Sequence, residues 1–228
     1  MAHDSHQQDP AWKEFIEGPV YPDDQAPWCD DLAYVPILTY PGLRDSIGGR
    51  VALALTQAIG LVQAMERVDL LQVVHTNQPA HGLCLGFGMN ALEPYDLLQV
   101  FKLDQVHAYE WIGAQVIEAA QVLQALRTEN PFLPPRIRLY HGTISNLNAL
   151  SDASIQVVYT ANVFNREIPM TEKTFTEAVQ EVVRVLAEGG VVLSRGSSGV
   201  LEEQLARRGR MLLQLPLVSV FWKTSATD

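Results

Sequence analysis

The chain has 228 residues, 47% of them hydrophobic and 18% charged. That is enough to bury a core as one large domain or two small ones, and too apolar for a disordered protein. A formal net charge of -10 argues against a general binder of nucleic acid or anionic membrane, since both need positive charge to neutralise phosphates.

The two cysteines, Cys29 and Cys84, make neither a disulfide scaffold nor a zinc cluster, and they fit a reducing cytoplasm. The start of the chain lacks a basic stretch followed by an apolar run, so no secretory signal is expected. Residues 53–65 come closest to a membrane span, but Gln57 and Gln63 interrupt them. The expectation is a cytoplasmic protein without membrane or nucleic-acid partners.

Residues 1–45 form a separate compositional segment. Asp4, Asp9, Glu14, Glu17, Asp23, Asp24, Asp30 and Asp31 are acidic against Lys13 alone, and prolines at 10, 19, 22, 27, 36 and 41 exclude a long helix or central strand. Trp12, Phe15, Tyr21, Trp28, Tyr34 and Tyr40 are interleaved with them, more aromatic rings than a free linker needs. An irregular arm packed on the body as a lid is expected. Residues 46–228 form the main domain.

A long helix is expected over 46–74, with Val51, Leu55, Ala58, Ile59, Val62 and Met65 at helical spacing and 77–79 as its stop. Strands and helices then alternate: a strand over 81–85, a helix over 94–101, a strand over 105–109 and a helix over 113–127. Strands over 136–140 and 155–159 follow. A helix over 174–186 carries a Phe175, Ala178, Val179, Val182 and Leu186 stripe. Thr174 and Glu177 suit a capping box, and Gly189-Gly190 suits its end. A strand over 191–194 comes next. Alternation of this kind means parallel pairing through crossovers. The runs 211–215 and 217–222 lie too close together for a crossover helix, so they should be antiparallel neighbours.

The most informative stretch is Cys84-Leu85-Gly86-Phe87-Gly88-Met89-Asn90-Ala91, a glycine turn between a strand and a helix. Such a turn lets a ligand approach the main chain, and its bare amides favour a polar or anionic group. Glu110 ends the next strand and can accept hydrogen bonds from two ribose hydroxyls, and Trp111 can lie against an adenine. Both features fall at the carboxyl ends of strands, where open α/β sheets bind ligands.

These residues also satisfy the dinucleotide fingerprint, Gly86-x-Gly88-x-x-Ala91 followed by an acid, but little of the chain is left for a substrate domain. From about Arg44 onward the arrangement resembles the class I S-adenosylmethionine-dependent methyltransferase family. The resemblance rests on the glycine segment and Tyr109-Glu110-Trp111. It also rests on residues 140–144 and 157–162, and on Arg184 through Leu193 with its Gly189-Gly190 turn. It implies an α/β, doubly wound, mostly parallel sheet of seven strands with an antiparallel C-terminal hairpin. It implies S-adenosylmethionine as cofactor and a small-molecule substrate, and it leaves the oligomeric state open. Residue by residue, it implies Gly86, Phe87 and Gly88 under the methionine and ribose portion and Glu110 on the ribose hydroxyls. Trp111 and Ile144 would flank adenine, and Asn162 would face the methionine end or the substrate.

The sequence departs from the family at Cys84, usually an acid, at Asn90, near a third glycine, and at Thr143, often an Asp. No dedicated catalytic base stands out; His141, Tyr40 and Tyr34 are candidates. Two other readings stay open: a methyltransferase-like interaction protein without catalysis, using the acidic arm or the Arg207-Arg208-Gly209-Arg210 cluster, and a small NAD-dependent oxidoreductase.

Overall fold

The computed structural model describes residues 10–22, 25–27, 50–76, 78–88, 92–129, 136–164, 170–197, 199–215 and 218–224. Residues 46–49, Asn90, Trp28, Tyr34 and Tyr40 lie outside them.

Among the described residues eight strands form one sheet, in the order β1-β4-β3-β2-β5-β6-β8-β7. They are β1 (Ile16–Glu17), β2 (His81–Leu85), β3 (Gln105–Glu110) and β4 (Ile137–His141), then β5 (Ile155–Ala161), β6 (Leu186–Arg195), β7 (Arg210–Leu215) and β8 (Val218–Trp222). The pairings from β1 to β6 are parallel, and β8 runs antiparallel between β6 and β7. The expected C-terminal hairpin is therefore present, with its later strand inserted. The eighth strand comes from the arm: after a 3-10 turn at Ala11–Phe15, β1 adds to the free edge of β4. It occupies a short gap in the proline spacing, and an edge strand is where such a segment is tolerated.

Two layers of helices cover the sheet. On one face lie α1 (Arg50–Glu66), α2 (Leu70–Val74), α3 (Leu92–Phe101) and α4 (Gly113–Glu129), packed over Cys84, Val106, Val157, Tyr159 and Leu193. On the other lie α5 (Glu172–Val185) and α6 (Val200–Ala206), over Leu83, Leu85, Val158 and Val192. Residues 142–154, between β4 and β5, contain no helix. Arg184 holds that loop by donating to the carbonyls of Leu147 (3.1 Å) and Leu150 (3.0 Å) and to Asp152 Oδ1 (2.6 Å).

Several boundaries differ from the sequence expectation. The single helix over 46–74 is two helices. Arg67 adopts a left-handed φ of 57° after α1, and Asp69 caps α2 by accepting from the Leu71 and Gln72 amides. An N-cap in mid-pattern restarts the helix at a new angle. Met65, placed on the buried stripe, is 61% exposed because the turn comes just after it. Helix α5 is capped by Thr171, whose Oγ1 accepts from Thr174 N at 3.1 Å, rather than by Thr174 with Glu177. Gly189-Gly190 does not close that helix. β6 begins directly at Leu186, and the Lys223 ammonium donates to the Val183 and Leu186 carbonyls. The glycines sit in an irregularity of β6, where Gly189 N donates to Lys223 O. Among the described residues no helix is long and apolar enough to cross a membrane.

Candidate functional site

The chain proceeds from β2 to β3 and β4 on one side, then returns to β5 on the other side of β2. The crevice at the ends of β2 and β5 is thus the switch point of the sheet, where the backbones diverge and leave room for a ligand.

Strand β2 is buried except at its first residue and ends in Gly86, at φ 68°. The Gly86 N–H donates to Tyr109 O at 2.8 Å, tying the turn to β3. Gly88 also lies in the left-handed region, at φ 64°, and among the described residues nothing lies within 4 Å of where its Cβ would project. At Gly86 a Cβ would overlap Val163 Cγ2, so the residue after Asn162 already covers that glycine. Phe87 is buried in the core on the α1–α4 face. Asn162 takes φ 57°, and its Oδ1 packs against Gly196 rather than over the glycine turn.

Glu110 turns its carboxylate back onto the glycine turn. Oε2 accepts from Gly88 N at 2.9 Å, and Oε1 accepts from Trp111 N at 2.9 Å and Ile112 N at 3.3 Å. The residue is 3% exposed, so charge-assisted bonds to oriented amides are what allow it there. The Cys84 thiol is fully buried, and desolvation, with the Glu93 and Glu110 carboxyls adding to it, pushes its pKa well up. It contributes no charge beside the glycine turn. Thr143 Oγ1 bonds Ser145 Oγ at 2.9 Å and accepts from Ser145 N at 3.3 Å, so its hydroxyl is engaged within its own loop. Ile144 sits in the same loop, partly buried against the core cluster that includes Leu83, Leu85 and Tyr109.

The arm reaches this site. Tyr21 N donates to His141 Nδ1 at 2.9 Å, which makes Nδ1 the acceptor and leaves Nε2 to donate to Trp111 O at 3.0 Å. One neutral imidazole thus links the arm to the Glu110–Trp111 turn. Gly113 lies beneath that link; a Cβ there would stand 2.5 Å from Tyr21 O. Further along, Pro27 closes one side of a cavity of about 410 Å³ whose other walls are the 143–148 loop and Glu177 and Glu181 of α5.

Sequence reasoning missed Glu93, in the first turn of α3. Its Oε2 is buried without a hydrogen-bond partner among the described residues, and desolvation raises its pKa to about 8 against the lowering influence of Arg195. Only packing reveals it, since an acid in a first helical turn reads as a solvated dipole partner. The basic cluster is engaged internally: Arg207 pairs with Glu203, Arg208 donates to Gln204 O, and Arg210 pairs with Glu66.

No family model matches the chain, and no curated protein matches it. Solved structures do align. An arsenic(III) S-adenosylmethionine methyltransferase from Chlamydomonas reinhardtii aligns at TM-score 0.43 and 22% identity, over 50% of this chain and 37% of that one. A geranyl diphosphate C-methyltransferase from Streptomyces coelicolor aligns at TM-score 0.41 and 11% identity, over 59% and 42%. A methyltransferase from Geobacter sulfurreducens aligns at TM-score 0.47 and 15% identity, over 75% and 89%. The first two alignments thus span less than half of the matched chains. The fold class rests on the strand order and directions given above: the sheet is that of the class I S-adenosylmethionine-dependent methyltransferase fold, widened by the edge strand β1.

Proposed function

We propose that this protein is an S-adenosylmethionine-dependent methyltransferase acting on a small molecule. The observation that carries the reading is the carboxylate of Glu110, held 2.9 Å from Gly88 N at the switch point. A strand-end acid pinned to a glycine turn is suited to ribose hydroxyls, which would share or exchange Oε2 with that amide. The space over Gly88, open among the described residues, fits the same group.

When bound, the cofactor supplies a methyl group made electrophilic by a sulfonium. The chain's part is to hold and orient it. Glu110 takes the ribose hydroxyls, Trp111 and Ile144 flank adenine, and Gly86, Phe87 and Gly88 pass beneath by their main chain. Cys84, as a neutral thiol, and Thr143 and Asn162, each packed on its own neighbours, line the surroundings rather than hold charge. Fixing donor and acceptor in line and excluding water account for most of the catalysis that such a transfer needs. The arm, docked through Tyr21 on His141, serves as the cover on the adenosine side.

A second reading, a methyltransferase-like protein that binds no methyl donor, is favoured by Val163 covering Gly86. Thermal unfolding with S-adenosylmethionine, S-adenosylhomocysteine or NAD separates the readings. A ligand at about one hundred times its Kd adds roughly 2.7 kcal/mol. For a chain of this size that raises Tm by about 5–10 °C. A rise with the adenosyl ligands alone supports the methyltransferase. A rise with NAD alone supports an oxidoreductase, and no rise supports the non-binding reading.

A further inference from the structure

The arm meets the body in two parts that differ in kind. Residues 11–17 are anchored by packing and pairing. Phe15 is buried with the Arg127 guanidinium 5.1 Å over its ring, and β1 pairs with β4. Arg138 bonds Glu17 Oε1 at 2.9 Å and Glu14 O at 3.2 Å. Gly18 follows, exposed and at φ 80°, and among the described residues nothing lies within 4 Å of where its Cβ would project. A glycine in such a place can absorb a change of chain direction. Beyond it, Pro19-Val20-Tyr21-Pro22 contains no buried residue, and its two prolines stiffen it and carry no N–H. This short segment crosses Gly113 and joins the body where Tyr21 N donates to His141 Nδ1 at 2.9 Å.

The partners of that imidazole fix its protonation. A backbone N–H only donates, so Nδ1 carries the lone pair. The Trp111 carbonyl only accepts, so Nε2, 3.0 Å from it, carries the proton. The docked arm therefore requires a neutral ring. A second proton enters at Nδ1 and sets two donors face to face. The bond to Trp111 O survives and gains charge assistance. Protonation thus undoes the arm contact and spares the turn. Glu110, the register partner of His141 on β3, shares its face, and its carboxylate on three amides favours the imidazolium. Burial of the ring opposes it. The arm presents the Tyr21 ring, 5.9 Å away. Helix α4 presents Gly113, and its first titratable residue, Glu118, comes more than a turn later. On β4 itself Arg138 and Tyr140 project from the opposite face.

We propose that His141 is a pH-sensitive latch on the arm. Neutral, it holds residues 19–22 against the turn from Trp111 to Gly113. Protonated, it releases them about Gly18 while β1 stays paired with β4. Docking selects the neutral ring, so the closed arm is favoured at higher pH and lost as pH falls through the titration of the ring. Imidazole is the side chain suited to this, since its charge changes between about pH 5 and 8. The latch stands on the contacts of the chain itself, whichever ligand the crevice takes.

Hydrogen exchange of the Tyr21 amide reads the latch directly. It is followed by NMR in the isotope-labelled full chain without ligand and corrected for the intrinsic exchange rate. In the wild-type chain protection should fall at least about tenfold from about pH 8 to about pH 5, in step with the titration of the His141 ring nitrogens. The Gly86 amide, bonded to Tyr109 O, should keep its protection over the same range. His141→Asn offers an acceptor that does not titrate, so its Tyr21 protection should change by less than about twofold between the two ends of that range. His141→Phe offers no acceptor, so its Tyr21 amide should exchange at least about tenfold faster than wild type near pH 8. Circular dichroism confirms that each variant folds, and the asparagine variant alone suffices if the phenylalanine one does not. Constant protection in the wild-type chain overturns the latch. So does a fall that Gly86 shares, a fall out of step with the ring, an equal fall in His141→Asn, or wild-type protection in His141→Phe.

Discussion

Replacing Glu110 by Gln tests the site at its most constrained point. The carboxylate accepts from three amides, at 2.9, 2.9 and 3.3 Å, in a position 3% exposed. Glutamine keeps one acceptor oxygen and turns the other position into a donor. The better rotamer keeps its oxygen on Trp111 and Ile112, which sets its NH2 group against the Gly88 N–H. One charge-assisted bond is lost, at roughly 1.5–3 kcal/mol, and the remaining two weaken with the loss of charge. The expected destabilisation is about 3 kcal/mol, or roughly 6–12 °C in Tm for a chain of this length. Urea unfolding of Glu110→Gln beside the wild-type chain measures it, and the same samples with S-adenosylhomocysteine report ligand binding. The ligand-induced rise in Tm should disappear with the substitution. A variant within 1 kcal/mol of wild type would refute the three-amide cradle. A destabilised variant that still binds the nucleoside normally would refute Glu110 as the ribose acid.

Gly113→Ala should displace the arm, because its Cβ would stand 2.5 Å from Tyr21 O and backbone cannot give way cheaply. Limited proteolysis should then cut the 10–22 segment faster, with a loss of about 1–3 kcal/mol in stability. Thr171→Ala removes the α5 cap and should cost about 1 kcal/mol, seen as a lower urea midpoint at unchanged slope. Glu93 gives a pH signature. Its carboxyl titrates near 8 in the folded chain and near 4.5 when unfolded, so between those values the folded state holds the extra proton. Stability therefore falls as pH rises from about 4.5 to 8, by up to about 1.4 kcal/mol per unit, and Glu93→Gln should flatten that slope. Parallel slopes for the two chains would show that Glu93 is solvated.

The pattern of short apolar runs alternating with amphipathic ones was legible because strand and helix periods differ, and with it came the parallel sheet and the closing hairpin. Boundaries were less so. Asp69 is an ordinary cap residue, but in the middle of a continuous apolar stripe nothing local says that the chain turns there. Gly189-Gly190 looks like a helix stop, but the helix ends earlier, where Lys223, thirty-eight residues after Val185, donates to the carbonyls of Val183 and of Leu186 just past the helix. The edge strand β1 escaped notice because two residues carry no periodicity; it exists because β4 offers a free edge and Phe15 finds a buried place on the body.

At the site the same division holds. Glycine spacing and a strand-end acid are local features, so Gly86, Gly88 and Glu110 could be singled out from the chain alone. The environment of each side chain is a sum over segments distant in sequence. Val163 over Gly86, His141 between Tyr21 and Trp111, and the buried Glu93 carboxyl became visible only once β2, β5 and α3 were brought together. The sequence by itself determined the order of elements and the residues of the ligand turn, because backbone preference and hydrophobic period act over a few residues. The tertiary structure decided which of those residues face a ligand, which face each other and which acid loses its water, because burial and charge act through space.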